Sequence, residues 1–362
     1  MSWFRSLAVA ALILCICVVV LGAYVRLSDA GLGCPDWPGC YGHVGVPTAP
    51  HEIARAEEKF PERPVEIPKA WKEMAHRYLA STLGLLIVVL ALMSRFIAAA
   101  PKRLPWILTG LVIFQGVLGM WTVTWQLKPL VVTAHLLGGM STLALLLWLY
   151  LCVRRDAGGE RQESVPLREL RSERHFALAM AREPGADATE AAPTAPRGLR
   201  LYAGIALLLL IGQIFLGGWT STNYAALACP DLPTCHGSWW PQTDVKTAFT
   251  LWHGLGINYE YGILDAQARV TIHLFHRVGA VVVSVVLLSL GLWLWRRGSA
   301  PLWRRLGIAV VAALSLQVLI GLGIVKLQLP LWLATAHNAG AALLLAVMVT
   351  LNHFAWTQRP PQ

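Results

Sequence analysis

Charged residues are scarce in this chain. Only 14% of its 362 residues are Asp, Glu, Lys or Arg, against 56% hydrophobic, with 16 Trp among them. That is too little charge to cover a soluble protein of this size, and the composition is that of a polytopic membrane protein. Around the histidines of these segments the extra carboxylates or thiolates that a zinc or bare iron site needs are also lacking. Glu73 and His76 form one Glu-x-x-His pair, but a di-iron bundle needs a second such pair and two more Glu within its spans. The first segment has a basic start and an apolar run like a signal peptide. Its exit, Gly22-Ala23-Tyr24-Val25-Arg26, has no clear small-x-small cleavage site, so an uncleaved anchor is expected.

What is abundant is long apolar sequence. About 20 apolar residues span a hydrocarbon core of roughly 30 Å. Eight such runs occur, near 7–25, 74–97, 105–125, 130–153, 201–219, 271–295, 303–325 and 331–354. The expected fold class is therefore all-α and polytopic, with eight transmembrane helices in the lipid bilayer. Lys and Arg concentrate between alternate spans: Arg95, Lys102 and Arg103; Arg154, Arg155 and the arginines after them; Arg296, Arg297, Arg304 and Arg305. By the positive-inside rule these loops and both termini are cytoplasmic. The formal charge of +10 is mostly this arginine, and nothing calls for nucleic acid as a partner.

The chain repeats itself. Gly22 precedes Cys34 by twelve residues, as Gly217 precedes Cys229. Cys34-Pro-Asp-Trp-Pro-Gly-Cys40 matches Cys229-Pro-Asp-Leu-Pro-Thr-Cys235. Gln115 stands twenty residues before His135, and Gln317 twenty before His337. Three shared registers imply a duplicated unit. Residues 1–153 form one four-helix unit with a long outer loop, 154–200 a cytoplasmic linker, and 201–362 a second unit. An even number of spans per unit gives both the same orientation, related by a pseudo-two-fold axis along the membrane normal. The linker reads as largely disordered, with a short surface helix around 167–182. The outer loops, about 28–70 and 220–268, read as ordered caps, with an amphipathic helix expected over 243–255.

Histidines recur within the spans: His76 and His135 in the first unit, His276 and His337 in the second. An imidazole in hydrocarbon is costly without a partner. Spans two, four, six and eight all start at the outer face, which puts the four rings at similar depth. Parallel helices two and four can then meet one haem from both sides, as can six and eight. The plainer alternative is that each ring hydrogen-bonds across a helix interface and binds nothing. Four rings at matched depth in a repeat favour ligation. Arg77 and Arg277, one step further along each helix, either pair with a haem propionate or snorkel to the interface.

The halves differ three residues before the first histidine of each pair, where Glu73 faces His273. Residues at i and i+3 share a helix face, so Glu73 points towards whatever His76 binds. Its alternative role is that of an acid in the first turn of a helix. His43, His51, His175, His236, His253 and His353 read as surface or structural residues, with His253 nearest the second site. Cys34 with Cys40, and Cys229 with Cys235, can each close a small disulfide loop in an oxidising compartment. The second pair reads as a structural staple, while the first is open to either a structural or a redox role. Cys15, Cys17 and Cys152 read as packing residues.

Together these residues resemble the haem A synthase family over nearly the whole chain outside the linker. The likeness rests on Glu73-x-x-His76-Arg77, His273-x-x-His276-Arg277, Ala-His at 134–135 and 336–337, and the paired cysteines. It extends to Asn223-Tyr-Ala-Ala-Leu-Ala-Cys-Pro-Asp and Gly256-Ile-Asn-Tyr-Glu260-Tyr. The resemblance implies a membrane oxidoreductase that converts haem O to haem A by oxidising a ring methyl to a formyl group. It further implies a b-type haem (iron) on His276 and His337, and substrate haem O on His76 and His135. Glu73 would act near the methyl, and the b haem would relay electrons. A haem O-producing prenyltransferase and a membrane electron acceptor are the implied partners, in a bacterial inner (plasma) membrane, with a homo-oligomer left open. The rivals are a dihaem b-type electron-transfer cytochrome (a quinol oxidoreductase) and a transporter. Neither gives Glu73 a particular task.

Overall fold

The computed structural model describes residues 1–163, 195–298 and 300–358. Among these residues the chain is helical, without a strand. In order the helices are α1 (Ser2–Leu27), α2 (Pro50–Lys59), α3 (Ile67–Phe96), α4 (Arg103–Thr124) and α5 (Pro129–Glu163). They continue with α6 (Leu199–Thr222), α7 (Val245–Ala248), α8 (Ala266–Arg297), α9 (Pro301–Lys326) and α10 (Leu331–Thr357). Eight of the ten are long and apolar enough to cross a membrane, one for each run seen in the sequence. The protein is a multi-pass membrane protein.

The helix starts follow local chemistry. Pro68 and Pro301 sit in first turns, where the missing N–H costs nothing. Asp265 caps α8 by accepting the Ala268 N–H at 2.8 Å. At the cap end, α4 turns into α5 through Gln126 and Leu127, both at positive φ, closed by Leu127 N–H to Thr122 O at 2.8 Å. Gln328 and Leu329 make the same turn between α9 and α10, closed by Leu329 N–H to Ile324 O at 2.8 Å.

Neighbours follow the same circuit in each half. α1 packs on α3, α3 on α4, α4 on α5, and α5 back on α1; α6, α8, α9 and α10 repeat this. In both circuits the histidine-bearing helices lie diagonally opposite. The halves meet through α1, α5, α6 and α10. Apolar side chains fill the end of each bundle away from the loops: Phe4, Ile87 and Leu146 in one, Leu287, Trp303 and Met348 in the other. Tight packing there leaves the loop-bearing half of each bundle for the histidines.

Two details of the caps depart from expectation. The helix expected over 243–255 is a single turn, Val245–Ala248. Asp244 caps it through Thr247 N–H, and α7 packs on α8 rather than lying free. An additional helix, α2, occupies the first outer loop, with Glu52 accepting the N–H groups of Thr48 and Ala49. Helix α5 runs nine residues past Arg154, into the segment expected to be linker. The surface helix expected at 167–182, like most of the 154–200 linker, lies outside the described residues.

Candidate haem-binding sites

The turn at Gln126–Leu127 starts α5 at Pro129, which carries His135 inward from the cap. His76 comes from α3 across the bundle. The two rings stand with centroids 6.4 Å apart and planes 82° from each other. Iron–imidazole bonds of roughly 2 Å, with about 1.1 Å from each nitrogen to its ring centre, also place axial ring centroids about 6 Å apart. The ring spacing therefore fits one porphyrin iron. The Nδ1 atoms of His76 and His135 are buried without a partner. Among the described residues no group of three or more His, Cys, Asp or Glu converges on a metal-sized point. Two imidazoles are one of the ligand sets that would hold a haem iron.

All four rings lie against glycines. A Cβ on Gly22 would stand 2.8 Å from Cε1 of His76, on Gly217 3.2 Å from His276, and on Gly321 3.1 Å from His337. His135 faces Gly119, where a Cβ would be 3.6 Å from its Cε1. Two of these glycines mark the register of the sequence repeat, so that register positions the rings.

A cavity opens inside the N-terminal bundle. Its lining includes Glu73, His76, Arg77 and His135, and it reaches Gly218, Ser221, Thr222 and Asn338 of the C-terminal half. Arg26, which the sequence did not single out, also lines it. Its Nη2 donates to Ser221 O at 2.8 Å, and its guanidinium lies 4.3 Å from the Tyr224 ring centre.

Glu73 is buried, 5% exposed. Helix α3 begins at Ile67, so Glu73 stands in the second turn and not the first, and a first-turn acid is not its role. Its carboxylate accepts the Cys34 N–H at 2.9 Å and an Arg77 Nη2–H at 2.5 Å. Arg77 in turn donates from Nη1 to Asp36 O at 3.0 Å and Gly39 O at 2.5 Å. The second half places an imidazole here: His273 Nδ1 lies 3.2 Å from the Cys229 nitrogen and its Nε2 3.2 Å from Arg277 Nε, and a neutral ring accepts from one of the two. Arg277 also donates to the carbonyls of Cys229, Asp231 and Thr234. Both arginines thus clamp a cap, a use that sequence spacing alone does not reveal.

The caps are closed by two disulfides, Cys34–Cys40 and Cys229–Cys235. Within them Asp36 accepts the N–H groups of Tyr41 and Gly42, and Asp231 those of His236 and Gly237. Latches join the halves here. Arg63 pairs with Glu260 at 2.7 Å, Tyr259 N–H donates to Gln126 O at 3.0 Å, and Lys128 Nζ donates to Gly254 O at 2.6 Å over the Trp252 ring. Outside the sites, His353 is buried against Trp148, and His236 bonds Ala228 O; both are structural. Of the other cysteines, Cys15 is buried and Cys17 exposed.

A family model described as cytochrome oxidase assembly protein matches residues 5–349. The haem A synthase of Shewanella oneidensis is 44% identical over 345 residues, covering 95% of this chain and 94% of its own. Those of Caulobacter vibrioides and Allorhizobium ampelinum are 27% and 25% identical, covering 95% and 92% of this chain and 92% and 85% of theirs.

Proposed function

This chain belongs to the haem A synthase family of cytochrome oxidase assembly proteins, and from that premise we propose that its two halves divide the work between a reacting site and a relay site. The reaction oxidises a ring methyl of haem O to the formyl group of haem A, which makes the protein a membrane oxidoreductase. One observation carries the division. The His76 and His135 rings stand 6.4 Å apart between centroids, in a cavity whose lining also includes Glu73. The equivalent position in the other half holds His273, which offers no carboxylate.

In this reading His76 and His135 hold substrate haem O between the diagonal helices α3 and α5. Glu73, on the same face of α3, accepts a proton from the methyl being oxidised or offsets positive charge developing there. Its bond to Arg77 aims it, and the bond from Cys34 ties its position to the disulfide-closed cap. Arg77 and Arg277 hold the caps over the sites and exclude water from them. His276 and His337 fit the same role toward a resident b-type haem, which when bound relays electrons away from the substrate.

The arginine-rich end of the bundles lies in the cytoplasm with both termini, and the membrane is the bacterial inner membrane. Residues 1–153 and 201–362 are then units of the same orientation joined by 154–200. Haem O comes from a prenyltransferase, and electrons leave to a membrane acceptor. The test is expression with a haem O supply in a host that makes no haem A, followed by pigment extraction and mass analysis. Haem A should appear. Recovery of haem O alone from well-folded protein overturns the reading.

A further inference from the structure

The internal repeat extends to a set of residues that the reaction does not use directly, and it breaks at one place. Four residues before the glycine that abuts each histidine stands Gln213 (to Gly217), Gln115 (to Gly119) and Gln317 (to Gly321). Before Gly22 the same position is Val18. Three residues after the histidine stands Gly279, Gly138 or Gly340, but Leu79 after His76. The two differences belong together. A Cβ at Gly279, Gly138 or Gly340 would collide with the side chain of Gln213, Gln115 or Gln317 respectively. The glutamine lies in the notch the glycine leaves, and where the glutamine is missing the notch is filled.

The amides do different things in the two halves. Gln213 Nε2 lies 3.0 Å from His276 Nδ1 and donates to His276 O at 2.9 Å. Gln317 Nε2 lies 3.3 Å from His337 Nδ1 and 3.2 Å from its Nε2, and donates to His337 O at 3.1 Å. Oε1 of both glutamines has no other partner. A half-turn of the amide exchanges its nitrogen and oxygen; were Nε2 of the ring on iron, Nδ1–H would then donate to Oε1, and the amide would give up its bond to the main-chain carbonyl. In the N-terminal half neither ring is gripped. Gln115 lies over Gly138 with its Nε2 unpartnered, and Nδ1 of His76 and of His135 has no hydrogen-bond partner. The main-chain carbonyls of Val18 and Gln115 approach these two rings instead.

We propose that Val18 and Leu79 make His76 a yielding ligand, so that the N-terminal site exchanges its porphyrin while the glutamine-gripped C-terminal site keeps its own. This rests on the ligand assignment above and adds a physical reason for the difference between substrate and cofactor. A hydrogen bond to the outer nitrogen of a ligating imidazole fixes ring orientation and raises basicity, and its loss costs about 10–100-fold in affinity. A site that must release product gains by lacking it. Val18 and Leu79 are positioning residues, acting through His76.

The test is haem release from purified full-length protein loaded with haem O, with excess apomyoglobin as trap. Wild type should release in two phases. Val18→Gln with Leu79→Gly should slow the fast phase by about 10–100-fold and leave the slow phase unchanged. The reciprocal Gln213→Val with Gly279→Leu should speed the slow phase by a similar factor, and it decides the matter if the first variant does not fold. Phases within twofold of wild type in the folded variants overturn the proposal. His135→Ala separates the two levels. If it abolishes the fast phase while Val18→Gln with Leu79→Gly changes nothing, only the present inference falls. A fast phase that survives His135→Ala removes the ligand assignment itself.

Discussion

Glu73 sits where structural and chemical demands meet, and two substitutions test both. Its carboxylate accepts from two donors at once, the Cys34 N–H and Arg77 Nη2–H, with side-chain exposures of only 6% for Glu73 and 12% for Arg77. In Glu73→Gln the amide has one oxygen. Its NH2 must face either Cys34 N–H or Arg77, leaving a buried donor unmatched and the guanidinium without its counter-charge. That loss is about 2–4 kcal/mol. Glu73→His installs the side chain that the second half carries, where His273 stands 3.2 Å from Cys229 N and from Arg277 Nε. A neutral imidazole also has a single acceptor nitrogen, so one donor is again unmatched and the cost is again about 2–4 kcal/mol. Both variants lack the carboxylate, and removing a positioned proton acceptor typically costs about 10²–10⁴-fold in rate. Haem O or a partly oxidised porphyrin should therefore accumulate in both, with haem A down at least about 100-fold, and both should melt early in detergent. The assay is pigment extraction with mass analysis beside thermal unfolding. Normal haem A from Glu73→Gln would refute the chemical role, and wild-type melting of both variants would refute the bonding argument.

Two further outcomes are expected at the caps. Lys128 is 1% exposed, bonded to Gly254 O and set against Trp252, so Lys128→Met should weaken the latch between halves by about 1–2 kcal/mol. Thermal unfolding in detergent reads this, and an unchanged midpoint would show that the ammonium's desolvation cancels its contacts. The Asp231 carboxyl is held below the usual aspartate range, first by the Thr234 hydroxyl and then by the Gly237 and His236 N–H groups. A carboxylate lowered on folding stabilises the cap above its unfolded pKa and gives up that contribution as pH falls through the folded value. The C-terminal cap should loosen progressively below about pH 4, seen as faster hydrogen exchange at Gly237. In Asp231→Asn that acid-dependent increment should be absent.

Much of this architecture was legible in the amino-acid order because it is locally encoded. Apolar run length specifies eight spans wherever they end up, and prolines and asparates mark their starts. Duplication writes its register into the Gly–Cys and Gln–His spacings, and the four histidines and four cap cysteines stand out against hydrocarbon and loop. Sequence could not say that α3 and α5 lie diagonally, that their rings meet at 6.4 Å, or that Arg77 and Arg277 reach back to cap carbonyls. Nor could it say that residues of the second half line the first half's cavity, or that 243–255 holds only one helical turn. Those outcomes depend on how each helix is rotated about its own axis and on contacts between residues nearly 200 positions apart, such as Arg26 with Ser221. Periodicity fixes which face of a helix is apolar, but in a membrane every face is apolar, so rotation is settled only when the helices pack.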